Sequence, residues 1–201
     1  LGLYNKNGEK VDDLPKFLHI DTKEPKLHKI NFNQITSKYK NNEICSSNII
    51  CDFKGDKIPA RVKFGLNVGM NSLKSKLPCN ICFPTKPGNP LIENKPGSFH
   101  WGPLFSHRNS VITFGNFSTL KNYQTDAEIE MTFLRKEDSS TISKKLTLKA
   151  NCEERIYSND VDIKQFIKTV GWVTVKANNP YIQGFYFNFN NSGSVSGDHL
   201  F

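Results

Sequence analysis

Four residues in this chain carry side chains that could jointly ligate a transition metal: His100, His107, Asp198 and His199. Imidazole nitrogens with one carboxylate suit zinc or non-haem iron, and Arg108 could hold a carboxylate or phosphate nearby. The spacing is not that of a compact metal motif. Six residues separate His100 from His107, and Asp198 and His199 lie near the end of the sequence, so only tertiary folding could assemble the set. Interfacial or hydrogen-bonded structural histidines are the competing account. His19 and His28 sit in alternating segments and read as surface or packing positions.

A second candidate chemistry is sugar stacking. The apolar face of an aromatic ring complements the C–H face of a pyranose, while neighbouring amides bond its hydroxyls. Trp101, Tyr181, Tyr186, Asn188 and Asn190 have the required types. Phe99, Phe105 and Trp172 could extend such a face. In GFYFNFN (184–190), alternation points Phe185, Phe187 and Phe189 to one side and Tyr186, Asn188 and Asn190 to the other. That pattern predicts a strand with its phenylalanines inside and a wet outer face. The alternative is ordinary sandwich aromatics.

The five cysteines are Cys45, Cys51, Cys79, Cys82 and Cys152, an odd number that leaves at least one thiol over in a monomer. Cys79 and Cys82 form C-x-x-C, but no second pair completes a zinc site. Pro78, Pro84, Pro87 and Pro90 disfavour the helix that a thioredoxin-type motif requires. Two small residues in a Pro-rich loop (77–98), joined as a disulfide in an oxidising compartment, is the plainer reading. Asn116 and Asn190 head N-glycosylation sequons, which matter only for a secreted eukaryotic protein. No G-x-S-x-G, H-E-x-x-H, P-loop or dinucleotide fingerprint occurs. No residue is assigned as catalytic, and the balance favours a protein that is not an enzyme and needs no cofactor.

The elements that must position these residues are short and alternating. RVKFGLNV (61–68), VITFGNF (111–117), EIEMTFL (128–134), LTLKA (146–150), WVTVKA (172–177) and GFYFNFN (184–190) read as strands. VDIKQFIKTV (161–170) has one helical face, and INFNQI (30–35) is a smaller version. Strands at this spacing between Gly, Asn, Asp and Pro predict an all-β sandwich or jelly roll.

The chain also resembles itself. IICDFKGDKIPARVKFGLN (49–67) parallels WVTVKANNPYIQGFYFNFN (172–190), with Lys54 opposite Lys176. KFLHI (16–20) parallels KLTLK (145–149), LGLYNKNGE (1–9) parallels MTFLRKEDS (131–139), and LHKINFNQI (27–35) parallels ERIYSNDVDI (154–163). The repeat predicts two tandem sandwich units with one short helix each, 1–105 and 106–201. Their closing segments, SFHWGPLF (98–105) and SGDHLF (196–201), each place a histidine before a docking Leu-Phe. The first unit lacks a counterpart to 111–117. A strand from upstream or from a neighbouring molecule is expected to cover the resulting edge, which makes self-assembly a third possibility.

GWVTVKANNPYIQGFYFNF (171–189), preceded by LTLKANCEERIYSNDV (146–161), resembles bacterial surface-associated and secreted Ig-like β-sandwich modules. The resemblance covers the last 90 residues or so, and the first unit more faintly. It implies sandwich topology, a scaffold or adhesion role and a secreted or cell-surface location. It carries over no catalytic residues, and the loop 77–98 departs from the pattern.

Composition narrows the partners. The formal charge of +8 comes from 23 Lys and only 4 Arg among 201 residues. Arg is the side chain that reads guanine and phosphate bidentately. Scattered Lys therefore indicates a solvated surface with a general attraction for anionic surfaces rather than specific nucleic-acid binding. No apolar run reaches the length of a membrane-spanning helix. The leading expectation is a non-catalytic structural or binding sandwich, with glycans as ligand class. A metal-dependent jelly-roll enzyme using the histidines, with a transition metal as cofactor, is the alternative.

Overall fold

The computed structural model describes residues 1–21, 23, 27–40, 43–50, 63–69, 78–84, 95–106, 109–118, 120 and 122–201. The chain is all-β, in two sandwich-like units, with two short helices among the described residues. The second unit is a complete two-layer sandwich. One layer has the order β6 (Ser98–Phe105), β11 (Val170–Ala177), β8 (Ala127–Arg135), β9 (Thr141–Leu148). The other has the order β10 (Glu153–Tyr157), β7 (Asn109–Asn116), β12 (Ile182–Phe189), β13 (Val195–His199). All pairings in both layers are antiparallel.

Alternation supplies the core between the layers. Leu104, Ile129, Met131, Phe133, Val173 and Val175 from the first layer meet Ile112, Phe114, Ile156 and Ile182 from the second, all buried in one cluster. The helix α2 (Val161–Phe166) closes one end through Ile163, and Ile167 follows it into the core. Val161, the first residue of the helix, is 69% exposed although it is apolar.

The N-terminal unit is smaller. β1 (Gly2–Tyr4) lies between β2 (Lys10–Asp13) and β3 (Ser46–Asn48). Helix α1 (Phe32–Thr36) is capped by the Asn31 side chain, which accepts from Asn33 N. A hairpin of β4 (Lys63–Val68) and β5 (Cys79–Pro84) packs on the outside of the second sandwich layer. Its Leu66, Val68, Cys79 and Ile81 meet Val111, Phe185, Phe187, Phe189 and Val195.

Three sequence expectations need correction. β6 pairs along its whole length with β11, so hydrogen bonding places residues 98–105 with the second unit, and the seam falls before Ser98 rather than near 105. The segment 77–98 contains strand β5, not only loop. Cys79 and Cys82 lie three positions apart on that strand and therefore face opposite sides: Cys79 is buried against Gly197 O, while Cys82 is exposed. Side chains on opposite faces of a strand cannot join as a disulfide or share a metal. Among the repeat segments, residues 17–20 form no strand although their partner 145–148 does. Lys54 lies outside the described residues.

Candidate ligand-binding face

Among the described residues nothing covers the outer surface of the layer β6-β11-β8-β9, and strand register arranges its side chains in three rows. The first is Pro103, Trp172, Leu134 and Thr141; the second is Trp101, Thr174, Thr132 and Ser143; the third is Phe99, Lys176, Glu130 and Lys145. Polarity therefore changes stepwise across the sheet from apolar, to hydroxyl, to charged. In the middle row Thr132 Oγ1 and Ser143 Oγ are 3.2 Å apart. In the charged row Lys145 Nζ sits 3.7 Å from Glu130 Oε1, and nearby Thr147 Oγ1 donates to Glu128 Oε1 at 2.9 Å. An open groove of about 700 Å³ runs across the charged end, lined by Phe99, Glu128, Glu130, Lys145, Lys176 and Asn178.

At the apolar end the aromatic rings form a strip. Trp172 lies 5.3 Å from Trp101, centroid to centroid, Trp101 lies 5.0 Å from Phe201, and Phe201 lies 5.2 Å from the His199 ring. Trp172, Trp101 and Phe201 are 37%, 39% and 47% exposed. Rings of this size are usually more deeply covered, so their grouping at the surface is the unusual feature of the face.

The C-terminal segment builds this strip. After β13 the chain leaves the second layer and crosses to the first. Leu200 N donates to Gly184 O on β12, and Phe201 exchanges two main-chain bonds with Trp101 on β6, Trp101 N to Phe201 O at 3.0 Å and Phe201 N to Trp101 O at 3.1 Å. Leu200 is buried between the layers. The site exists because Gly102 and Gly184 have no side chains: a Cβ on either would approach a Leu200 methyl to 2.5 Å. The expected docking of Leu-Phe is thus split. Leucine enters the core, and phenylalanine extends the outer aromatic strip.

The residues named from sequence divide sharply. Trp101 is on the exposed face. Asn188 is buried and accepts from Ser110 Oγ, and Tyr186 packs against the sandwich core. The predicted orientation of β12 is therefore inverted: Tyr186 and Asn188 point between the layers, and the phenylalanines point to the hairpin. Burial, reinforced by the charge of Asp198, pushes the Tyr186 phenol above its ordinary range. Tyr181 stands edge-on to Tyr123 at 5.1 Å. Asn190 accepts from Ser192 N in a turn. Asn116, of the first sequon, is fully buried: its Nδ2 donates to Thr125 O and Leu148 O, and its Oδ1 accepts from Tyr123 OH. Those bonds leave no route for a glycan while the chain is folded.

Of the candidate metal ligands, His100, Asp198 and His199 lie among the described residues, and each has a protein partner. His100 Nε2 lies 3.0 Å from Ile182 O, which ties β6 to the opposite layer. His199 Nδ1 pairs with Asp198 Oδ1 at 2.7 Å on the exposed edge. His107 and Arg108 lie outside the described residues. Among the described residues no three His, Cys, Asp or Glu side chains gather as a metal-binding group.

Sequence reasoning named Trp172 and Phe99 but missed Thr174, Thr132, Ser143 and the stacking role of Phe201. The signal for the hydroxyls was present: each is an outward position of an alternating strand, and register aligns them.

No family model matches the chain, and no curated protein matches it. A crystal structure of Thermotoga maritima 1070 is 13% identical to it, over 53% of this chain and 88% of that one, with a TM-score of 0.38. A likeness that slight bears on neither fold nor function. Among the described residues no helix is long and apolar enough to cross a membrane.

Proposed function

We propose that the protein is a non-catalytic binding module that takes glycans on the outer face of β6-β11-β8-β9. One observation carries this reading: an exposed strip of Trp172, Trp101 and Phe201 borders a row of hydroxyls on a sheet face that no described residue covers. The strip supplies rings for stacking on pyranose C–H faces, and Thr174, Thr132 and Ser143 supply hydrogen bonds to sugar hydroxyls. The mixed Glu and Lys groove beside them extends the face to a second sugar unit. A surface scaffold or adhesion role at the cell exterior accords with this assignment and with the resemblance to secreted sandwich modules.

The test is direct because the chain has two tryptophans, Trp101 and Trp172, both on this face. Oligosaccharides selected from a glycan array are titrated against intrinsic fluorescence. A bound ligand shifts or quenches the emission, and Trp101→Ala or Trp172→Ala weakens binding by about tenfold, or about 1.4 kcal/mol. An array without hits, or hits that bind both variants as tightly as the parent, rejects the reading.

A further inference from the structure

A second site lies where the N-terminal sheet meets the sandwich, and it is independent of the glycan reading. Cys45 and Cys152 are about one hundred residues apart in sequence, yet the fold brings their neighbourhoods together. Ser46 Oγ, next to Cys45, donates to the carbonyl of Asn151, next to Cys152, at 2.7 Å. Both cysteines also hold the same short stretch of chain. Cys45 N donates to Tyr4 O at 2.8 Å, and Cys152 Sγ donates to Lys6 O at 3.4 Å. Tyr4 and Lys6 are two residues apart, a reach of at most about 7 Å. Gly8 closes over the same spot: a Cβ there would lie 2.1 Å from Ala150 O and 3.1 Å from Cys152 Sγ. The two sulfurs are near enough to influence each other's ionisation, Cys45 adding to the burial that raises the Cys152 thiol.

We propose that Cys45 and Cys152 form a disulfide that staples the N-terminal sheet to the sandwich when the protein meets a disulfide oxidant of the glutathione class. Cys45 is the more exposed of the two, so its thiolate attacks the external disulfide and expels one glutathione thiolate. The Cys152 thiolate then attacks the Cys45 sulfur of the mixed disulfide and expels the second glutathione. Two protein thiols are oxidised, one oxidised glutathione is reduced to two thiols, and the two protein protons leave on the glutathiones. Closing so long a loop restricts the unfolded chain strongly. Cys79 and Cys82 do not compete by geometry: they are on the hairpin, and on opposite faces of it; Cys51 lies outside the described residues.

The test uses the intact chain. Wild-type protein is equilibrated in mixtures of oxidised and reduced glutathione, alkylated, digested and mapped by mass spectrometry without reduction. The expected product is a single linked peptide pair, Cys45 with Cys152, while Cys79 and Cys82 take the alkylating reagent. Its thermal midpoint falls by about 5–10 °C on addition of dithiothreitol. Cys45→Ser and Cys152→Ser each abolish both the linked pair and the dependence on reductant. Should a serine variant fail to fold, the wild-type peptide map decides alone. Alkylation of both Cys45 and Cys152 across the whole redox range, or a linkage involving Cys51, Cys79 or Cys82 instead, overturns the proposal.

Discussion

The two outer faces of the large sandwich have opposite fates. Strands of both layers alternate, and both outward rows include large aromatic side chains. On β12 that row is Phe185, Phe187 and Phe189, and the hairpin β4-β5 covers it. On β6 and β11 it is Phe99, Trp101 and Trp172, and nothing in the described chain covers it. The difference lies in the companions. The β12 row is almost wholly apolar, joined by Val111 and Val195, and left bare it would expose a continuous hydrophobic patch. The β6-β11 rows grade into threonine, serine, lysine and glutamate, which water tolerates. A covered apolar face contributes to stability, whereas a bare mixed face is free to contribute to recognition.

Substitutions can break that contrast, and the largest effect belongs to the covered face. Phe187→Ala removes a ring 6% exposed and is expected to cost about 3–5 kcal/mol in chemical denaturation. Trp172→Ala, in the aromatic strip of the bare face, should cost less than about 1.5 kcal/mol while weakening ligand binding by about tenfold. Similar losses from both would mean that the two faces do not differ in kind. Next comes Ile81→Asp, which places a charge at the hairpin's buried contact, 2% exposed. It is expected to lift the hairpin from β12 and cost about 2–4 kcal/mol. Binding of a hydrophobic dye should rise while the sandwich core, which contains no hairpin residue, keeps its cooperative transition. A variant that binds no dye, or that loses all structure at once, would show the hairpin to be integral rather than a cover.

Much of this was legible from sequence, and the gaps have physical causes. Period-two alternation located β7, β8, β11 and β12 within a few residues, because half-buried strands must alternate. It could not say which face was inside. On β12 the sequence pattern favours the phenylalanines as core, yet the core side is Ile182, Gly184, Tyr186 and Asn188. Gly184 reads as an empty position until Leu200, sixteen residues on, fills it. Asn188 reads as solvent-facing until Ser110 meets it. Both partners are remote in sequence, and local pattern carries no information about them. The same limit hid the closeness of Cys45 to Cys152 and the contact of His100 with Ile182 O. β6 escaped notice because Gly102 and Pro103 blur its apolar pattern, although Gly102 stands on the inward side with His100 and Leu104. Trp101 was recoverable because an outward tryptophan stands out in any frame.

A smaller effect sharpens the comparison through pH. Cys79 sits in the covered interface, where burial, reinforced by the charge of Asp198, pushes its thiol above the ordinary value of 9.0, against the opposing pull of its hydrogen bond to Gly197 O. The folded chain then resists ionisation more than the unfolded chain does. The stabilisation is complete below about pH 9 and is lost as pH rises through the raised folded value. Denaturation midpoints are therefore expected to fall more steeply between pH 8 and 10 for the parent than for Cys79→Ala. Equal slopes would place the thiol in contact with water and the hairpin farther from β13 than 3.3 Å between Cys79 Sγ and Gly197 O implies.

The smallest expected effect is on the bare face. Lys145 is 76% exposed at its side chain and lies 3.7 Å from Glu130. An exposed pair of that kind gains little, because water screens it and holding two long side chains costs entropy. Lys145→Ala should change stability by less than about 0.5 kcal/mol, at low and high salt alike. It should nevertheless weaken a ligand that reaches the charged end of the groove, since Lys145 presents its ammonium there without serving the fold. A stability loss above about 1 kcal/mol would mean that the ladder Lys176, Glu130 and Lys145 holds the sheet together. The face would then be maintained for the fold, as the covered one is, and the division of labour between the two surfaces would fail at its weakest point.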